Sequence, residues 1–411
     1  MNSTFEFVGK IVPCKETDNF KPYSSIRFKD SDWGKKTIKF NMVCGTNRHF
    51  LEVSDLVNMA NEKSMKIYTF TKGTQGDDGT KNKGEKLEVS FADRLKPEIV
   101  EKVAEFKKYV IDTEVAGRRY KLEKAIDKFK DGSITDEQMN EFGVHSIDEC
   151  EKALKESKAK KHEFISAYDY IDFLNKFVNN DKIKDMIFKI TGNYEVDYDS
   201  KNDIWYRHFI PQRIYRADDN ATPISQCTFG VIFGREAIDD ASFEDNKKIH
   251  ISGFIPQYLS SYKKSFFCPM TFTIDGNGDD KANKKALGFK KKFTFPDECS
   301  CDYREIGIVC DILDGAQKVE LTEDMLTDEQ KENLEFGLCT MDDIIKELGK
   351  DVYGDKVTDI IVVSLARGYS SGAKDTVYSE NDFCKPHIET TETTNDTEEN
   401  IFDEDDEDID I

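Results

Sequence analysis

At 411 residues, 38% hydrophobic and 34% charged, the chain has room for two or three domains, and its 11% aromatic content excludes disorder throughout. Its 59 Lys and Arg stand against 81 Asp and Glu, a formal net charge of −22. That balance excludes coating of polyanions by bulk charge and confines any nucleic-acid site to a local basic groove.

The first 90 or so residues read as short strands. FEFVGKIV (5 to 12) alternates around Gly9, where a strand can bend. FKPYSSIRF (20 to 28), KKTIKFNMVCG (35 to 45) and HFLEV (49 to 53) follow, the last two split by a turn at Gly45-Thr46-Asn47. MKIYTF (65 to 70) and KLEVSF (86 to 91) flank the polar loop TKGTQGDDGTKNKGE. Six such strands predict a small barrel or sandwich. From Pro97 the pattern turns helical. Ile99, Val103, Phe106 and Val110 recur at helical spacing, and Leu122, Ile126 and Phe129 continue it. Thr135 with Gln138 and Ser146 with Glu149 have capping-box spacing. Tyr168, Ile171, Leu174, Phe177 and Val178 share one helix face, and DKIKDMIFKI (181 to 190) predicts another helix.

Strands resume at 203 to 217, 227 to 234, 247 to 255 and 264 to 274. DGNGDDKANKKALG reads as a loop, and FKKKFTF (289 to 295) and YREIGIVCDIL (303 to 313) read as strands. Two short helices follow, LTEDMLTDEQKENLEFG, capped by Thr327 with Gln330, and TMDDIIKELG. KVTDIIVVSLA (356 to 366) predicts a buried strand, with a further one over Val377 to Phe383. The expected organisation is an N-terminal strand region (1–96), a helical insertion (97–191), a second strand-rich region (192–385) and an acidic tail (386–411). No internal sequence repeat is apparent, although two runs of strands fit two barrels or one elaborated barrel.

Four stretches interleave rings with cations. They contain Tyr23, Arg27, Trp33, Lys35 and Lys36; Trp205, Arg207, Phe209, Arg213, Tyr215 and Arg216; Tyr262, Lys263 and Lys264; and Lys284, Lys285, Phe289, Lys290, Lys291 and Lys292. Single-stranded nucleic acid needs both residue types, since bases stack on aromatic faces while Lys and Arg follow the phosphates. Phe266, Phe272 and Phe293 also suit a sheet core, and a lysine run also suits a solvated edge.

Enzymatic signatures are thin. There is no P-loop and no GxGxxG. Asp275 to Asp280 has the composition of a calcium loop but lacks its glutamate, and Cys299, Cys301 and Cys310 lack the CxxC pairs of structural zinc. His208 and His250 have no nucleophile or carboxylate at diagnostic spacing. No catalytic residue, metal or cofactor is therefore expected, and a metal-dependent nuclease is the least favoured class. No run of about 18 apolar residues predicts a membrane span. The opening MNSTFEFVGK lacks a secretion signal, so the ten cysteines are expected as reduced thiols in a cytoplasm.

Residues 389 to 411 carry twelve Asp or Glu and no Lys or Arg. Without them the charge is 59 against 69, or −10, so more than half of the excess sits in the last 23 residues. Such a stretch is expected to be a disordered polyanion. Ile401, Phe402, Ile409 and Ile411, set among Asp403, Asp405, Asp406 and Asp408, give a partner something apolar to grip. A strand-rich body beginning FEFVGKIV with an arm ending IFDEDDEDIDI resembles the bacteriophage-type single-stranded DNA-binding proteins. The resemblance implies a body of OB-like barrel form, so the expected fold is α+β and mainly antiparallel, and the helical insertion is where the chain departs from the small members of that class. The resemblance also implies coating of exposed strands in replication and recombination in a host cytoplasm. The arm would then recruit a polymerase, helicase or recombinase, and occupy the DNA groove when DNA is absent. The alternative is a phage structural or assembly protein with a solubilising tail.

Overall fold

The computed structural model describes residues 3–386 apart from residue 30, 61–64, 76–80, 83, 260–261, 319–325, 342 and 345–352. β1 (Thr4–Pro13), β2 (Tyr23–Arg27), β3 (Trp33–Cys44) and β4 (Asn47–Asn58) form in order, as alternation predicts. Cys44 lies opposite Asn47, so the β3–β4 hairpin turns on Gly45 and Thr46, and Gly45 supplies a φ of 64°. β5 (Lys66–Phe70), the two-residue strands β6 (Thr74–Gln75) and β7 (Lys81–Asn82), and β8 (Lys86–Ser90) make two nested hairpins.

The stretch from 97 to 191 holds α1 (Pro97–Lys102), α2 (Arg118–Asp131), α3 (Asp136–Phe142), α4 (Ile147–Ala159) and α5 (Ala167–Val178). Thr135 and Ser146 cap α3 and α4 by accepting from Gln138 N and Glu149 N. Helix does not fill the stretch. The helical spacing of Ile99, Val103, Phe106 and Val110 ends with α1, and Val110 lies on β9 (Tyr109–Asp112), which pairs with β10 (Lys161–Phe164). Long-range pairing overrides local period here. DKIKDMIFKI is likewise not a helix. Asn180 caps a 3-10 turn at Asp181–Ile183, and the apolar residues then enter β11 (Phe188–Asp199), with Phe188 and Ile190 buried.

β12 (Ile204–Arg216), β13 (Ile224–Gly234), β14 (Ile238–Asp239), α6 (Phe243–Asn246), β15 (Lys248–Leu259) and β16 (Lys264–Asp275) follow. The lysine-rich stretch, expected as loop and strand, is instead α7 (Asp280–Phe293). Asp279 caps it by accepting from Ala282 N, three lysines sit in its last turn against the negative end of the helix dipole, and Ala286 and Phe293 bury its inner face. β17 (Tyr303–Lys318), α8 (Asp328–Glu335), β18 (Tyr353–Leu365) and β19 (Lys374–Asp375) complete the chain. Thr327 and Gln330 form the capping box expected for α8. The strand expected over Val377 to Phe383 is absent, and a 3-10 turn occupies Glu380–Phe383. Most of TMDDIIKELG and the whole acidic arm, with Ile401, Phe402, Asp403, Asp405, Asp406, Asp408, Ile409 and Ile411, lie outside the described residues.

The molecule is α+β and strand-rich, and its pairing closes twice. β1 pairs with β3, β3 with β4, β4 in parallel with β12, β12 with β11, and β11 again with β1. β13 pairs with β15, β15 with β16, β16 in parallel with β18, β18 with β17, and β17 again with β13. Both rings therefore run first, second, third, fifth, fourth strand, with one parallel pairing between third and fifth. A helix lies between third and fourth strands in each, α5 in one ring and α7 in the other. The rings join where β1 and β13 run antiparallel, Thr4 opposite Thr228 and Val8 opposite Ile224. Beyond Val8, β1 leaves β13 for β3, and at that crossing a Cβ on Gly9 would stand 2.0 Å from the Val43 carbonyl oxygen. One continuous core fills both rings: Tyr194 of β11 packs on Phe229 of β13 at 5.1 Å, and Phe229 on Phe272 of β16 at 5.5 Å.

Candidate nucleic-acid interface

The period of two divides the β2–β3–β4 sheet into an inner and an outer face. On the inner face Lys36 is buried and donates to Asp172 Oδ2 of α5 at 2.5 Å, with its ammonium 3.5 Å above the Tyr168 ring. Tyr23 donates to Asp172 Oδ1 at 2.8 Å, and burial together with Asp172 pushes its hydroxyl up to about 12. Tyr23 and Lys36 thus fasten the hairpin to a helix, Lys36 buried and Tyr23 half-buried with its hydroxyl engaged.

The outer face is different. Trp33 and Lys35 are exposed there, with Lys39 and Asn41 further along β3. Asn41 lies opposite Phe50, which is 43% exposed, and Phe20 approaches Phe50 with ring centroids 6.3 Å apart. Lys39 Nζ stands 5.5 Å from the Phe20 centroid. Burial pushes the Cys14 thiol up, while the charges of Arg48 and Lys39 pull it down, so both cations stand over the same patch. Glu52, opposite Lys39, is the acid within it. Phe20, Lys39, Arg48 and Phe50 escape a reading by clusters because they come from the segment before β2, from β3 and from β4. The two-residue turn at Gly45 and Thr46 was the available signal, since it fixes Asn41 against Phe50 and hence Lys39 beside them. Arg27 is exposed at the far end of the hairpin, 3.9 Å from Asp32.

β12 distributes its candidates over several surroundings. Phe209 turns into the first ring against Phe7 at 4.9 Å and Tyr194 at 5.4 Å, which makes it core and not a stacking platform. Trp205 is half-buried, 4.9 Å from Tyr198, with Nε1 buried and without a hydrogen-bond partner among the described residues. Arg207 is exposed. A register shift at Thr191 and Gly192 then reverses the alternation, so Ile214 faces inward and Arg213 and Tyr215 do not. Arg213 donates to the Glu105 carbonyl at 2.8 Å. Tyr215 and Arg216 line a cleft of about 700 Å³ shared with Asp112, Glu114 and Arg119.

Tyr262 and Lys263 precede β16 and Lys264 opens it, with Tyr262 5.3 Å from Phe266. Phe266 is buried, as are Phe272 and Phe293. On α7, Lys284, Lys285 and Lys291 are exposed, Lys290 pairs with Asp240, Lys292 lies against Gly372, and Phe289 packs on the core. The sequence candidates therefore fall at separate places. The structure brings Trp33 and Lys35 onto one face with Lys39 and Phe50, and leaves the α7 lysines on a helix of the second ring.

Cys299, Cys301 and Asp375 bring three potential ligand atoms within 4.8 Å of one another. Asp375 already accepts from Arg304 Nε at 2.9 Å, so the group is not a free donor set.

No family model matches the chain, and no curated protein matches it. Among solved structures, it is similar to a crystal structure of a deletion mutant of the single-stranded DNA binding protein from Thermus aquaticus. The identity is 6% and the TM-score 0.30, over 89% of this chain and 94% of that one. At that TM-score the likeness carries no argument.

Proposed function

We propose that the chain binds single-stranded DNA with little regard to sequence, as a binding protein and not an enzyme, and that its two rings are OB-type barrels. The observation that carries this reading is the outer face of β3 and β4. There Phe50, Lys39 and Arg48 stand on the second and third strands of a closed five-stranded ring, with Phe50 exposed and the half-buried Phe20 beside it. A net charge of −22 makes such a local cationic track the only route to a polyanion. Bases stack on the open rings, and phosphates pass along the lysines. The setting that suits the acidic arm is phage replication and recombination in a host cytoplasm. There residues 389–411 recruit a polymerase, helicase or recombinase and compete with DNA for the cationic face.

Titration with oligo-dT tests this. Trp33 is on the proposed face and exposed, so its fluorescence should be quenched on binding. The quenching should weaken with salt, at a log–log slope of about −0.7 per phosphate neutralised. Flat fluorescence with no gel shift at low salt would instead favour a structural or assembly protein.

A further inference from the structure

The second ring has its own counterpart of the β3–β4 face, and the chain lies across it. β15 and β16 are the second and third strands of that ring. Pro256 opposite Phe267 and Phe254 opposite Pro269 place Phe254 and Phe267 as diagonal neighbours on the outward side. Both rings would be open to solvent but for the segment after β19. Phe383 from that segment sits with its centroid 4.4 Å from Phe254, 4.8 Å from Phe267 and 4.4 Å from Tyr303. These three contacts are tilted, by 35° to 50°, and Tyr378 of the same segment also packs on Phe267 at 5.1 Å, so the segment covers with its own rings an outer aromatic face of the kind on which bases stack.

Ser379 donates to Asp382 Oδ2 from its amide at 2.7 Å and its hydroxyl at 3.0 Å, and these bonds, with a smaller pull from Lys264, hold that carboxyl below the usual range. Burial raises the Tyr303 hydroxyl, and the charges of Glu380 and Asp302 add to it. The segment is tied down at both ends: β19 pairs with Arg304 and Glu305, and Lys385 donates to Asp203 Oδ1, in the loop between β11 and β12, at 2.8 Å. Glu380, Asp382 and Lys385 are exposed, so the segment lies over this face as a strap and not as part of the core. Four residues after Lys385 the acidic arm begins.

We propose that Phe254, Phe267 and Tyr303 form a second base-stacking site, and that Phe383 occupies it in place of a base. This rests on the single-stranded DNA reading and extends it to the second ring. DNA reaching that ring must lift the 380–385 strap, so the strap sets how much of the molecule a strand can cover.

The test is binding of fluorescein-labelled oligo-dT to the full chain and to Phe383→Ala, at low salt, with thermal unfolding measured alongside. One competing stack removed should tighten binding by about tenfold. The shortest oligonucleotide bound at full affinity should also lengthen. Hydrogen exchange on the unaltered chain gives a second measure that needs no variant to fold, and the amides of 374–386 should exchange faster when dT is bound. Unchanged or weaker binding by a folded Phe383→Ala chain, or unchanged or slower exchange in that segment on saturation with dT, overturns the proposal and leaves DNA binding standing. Absence of dT binding by both chains overturns the DNA reading itself, and this proposal with it.

Discussion

His49 Nε2 lies 2.5 Å from Ser225 Oγ, and this hydrogen bond ties β4 of the first ring to β13 of the second. Ser225 uses its own proton on the Ile312 carbonyl at 2.7 Å, so it must accept from His49 Nε2–H. That fixes the tautomer and leaves Nδ1 bare, and Nδ1 is buried without a partner among the described residues. Phe7 stacks on the ring at 4.1 Å. A charged imidazole is costly here, and burial pushes His49 down to about 4, against a weaker upward pull from Asp314.

A pH dependence follows from that lowered value. Above about 6.5 the imidazole is neutral in both folded and unfolded chains, and His49 contributes no slope. Between about 6.5 and 4 the unfolded chain takes a proton that the folded chain refuses, so stability falls as pH falls, by roughly 3 kcal/mol in total. His49→Gln keeps a donor for Ser225 and removes the titration. Urea denaturation at pH 7 and pH 4.5 should show the unaltered chain losing more stability than His49→Gln. Equal losses would sink the assignment.

Phe229 holds the rings together from inside, touching Tyr194 on one side and Phe272 on the other. It is fully buried. Phe229→Ala should cost about 3–5 kcal/mol, since neighbours on two differently oriented rings cannot both collapse into the space. The unaltered chain should unfold in one transition, because its core is continuous. In the variant, near- and far-ultraviolet circular dichroism should give separated midpoints. A single transition at an unchanged midpoint would refute the shared core.

The legible parts of this fold are those whose cause is local. The β3–β4 hairpin follows from a turn and two alternating runs, and the caps at Thr135, Ser146 and Thr327 follow from side chains three residues from their partners. β9 was not legible, because Val110 is in a strand only by virtue of distant partners, Glu163 of β10 and the parallel Arg213, the latter 103 residues further on. The lysines of α7 alternate with Phe289 and Phe293 well enough to imitate a strand, but Asp279 and the spacing of Ala286 and Phe293 decide for helix. The two rings share connection order and burial alternation without shared residues, so no sequence repeat announces them. The candidate site suffered for the same reason. Lys36 and Tyr23 read as basic and aromatic neighbours of Lys35, and only Asp172, from a helix far along the chain, shows that they face inward.

That division of the hairpin predicts opposite outcomes for adjacent lysines. Lys36→Met should leave oligo-dT affinity unchanged and lower stability by about 1–3 kcal/mol, because Asp172 is left without its ammonium partner. Lys35→Met should do the reverse. It should leave the melting temperature in place and reduce the salt slope by about 0.7, because one phosphate fewer is neutralised. Anisotropy titrations at several salt concentrations, with calorimetry on the same samples, separate the two. Matching effects from both lysines would mean that the outer face is not the binding face.

Phe50 provides the stacking counterpart. It is 43% exposed and contributes little to the core, so Phe50→Ala should leave folding almost untouched. Its removal from a stack should weaken dT binding by about 1–3 kcal/mol, or roughly 5- to 150-fold. Phe209→Ala is the contrast. That ring lies inside against Phe7 and Tyr194, and its removal should lower the melting temperature, with affinity falling only as the fold does. If Phe50→Ala bound dT as tightly as the unaltered chain, the outer face of β3 and β4 would lose its role.

The arm from 389 to 411 is joined to the body it would inhibit, which gives it an effective concentration of order millimolar at the cationic face. Twelve carboxylates held at that concentration compete with phosphates for Lys35, Lys39 and Arg48. Deleting 389–411 should therefore tighten dT binding at low salt. The gain should shrink as salt screens the arm, with a Debye length near 10 Å at about 0.1 M. The Phe383 strap would remain in place in such a chain, so combining the deletion with Phe383→Ala should tighten binding further. Equilibrium titration of the four chains at two salt concentrations measures both effects. A deletion whose affinity matched the full chain at every salt concentration would remove the arm as a competitor and leave it as a recruiting or solubilising extension.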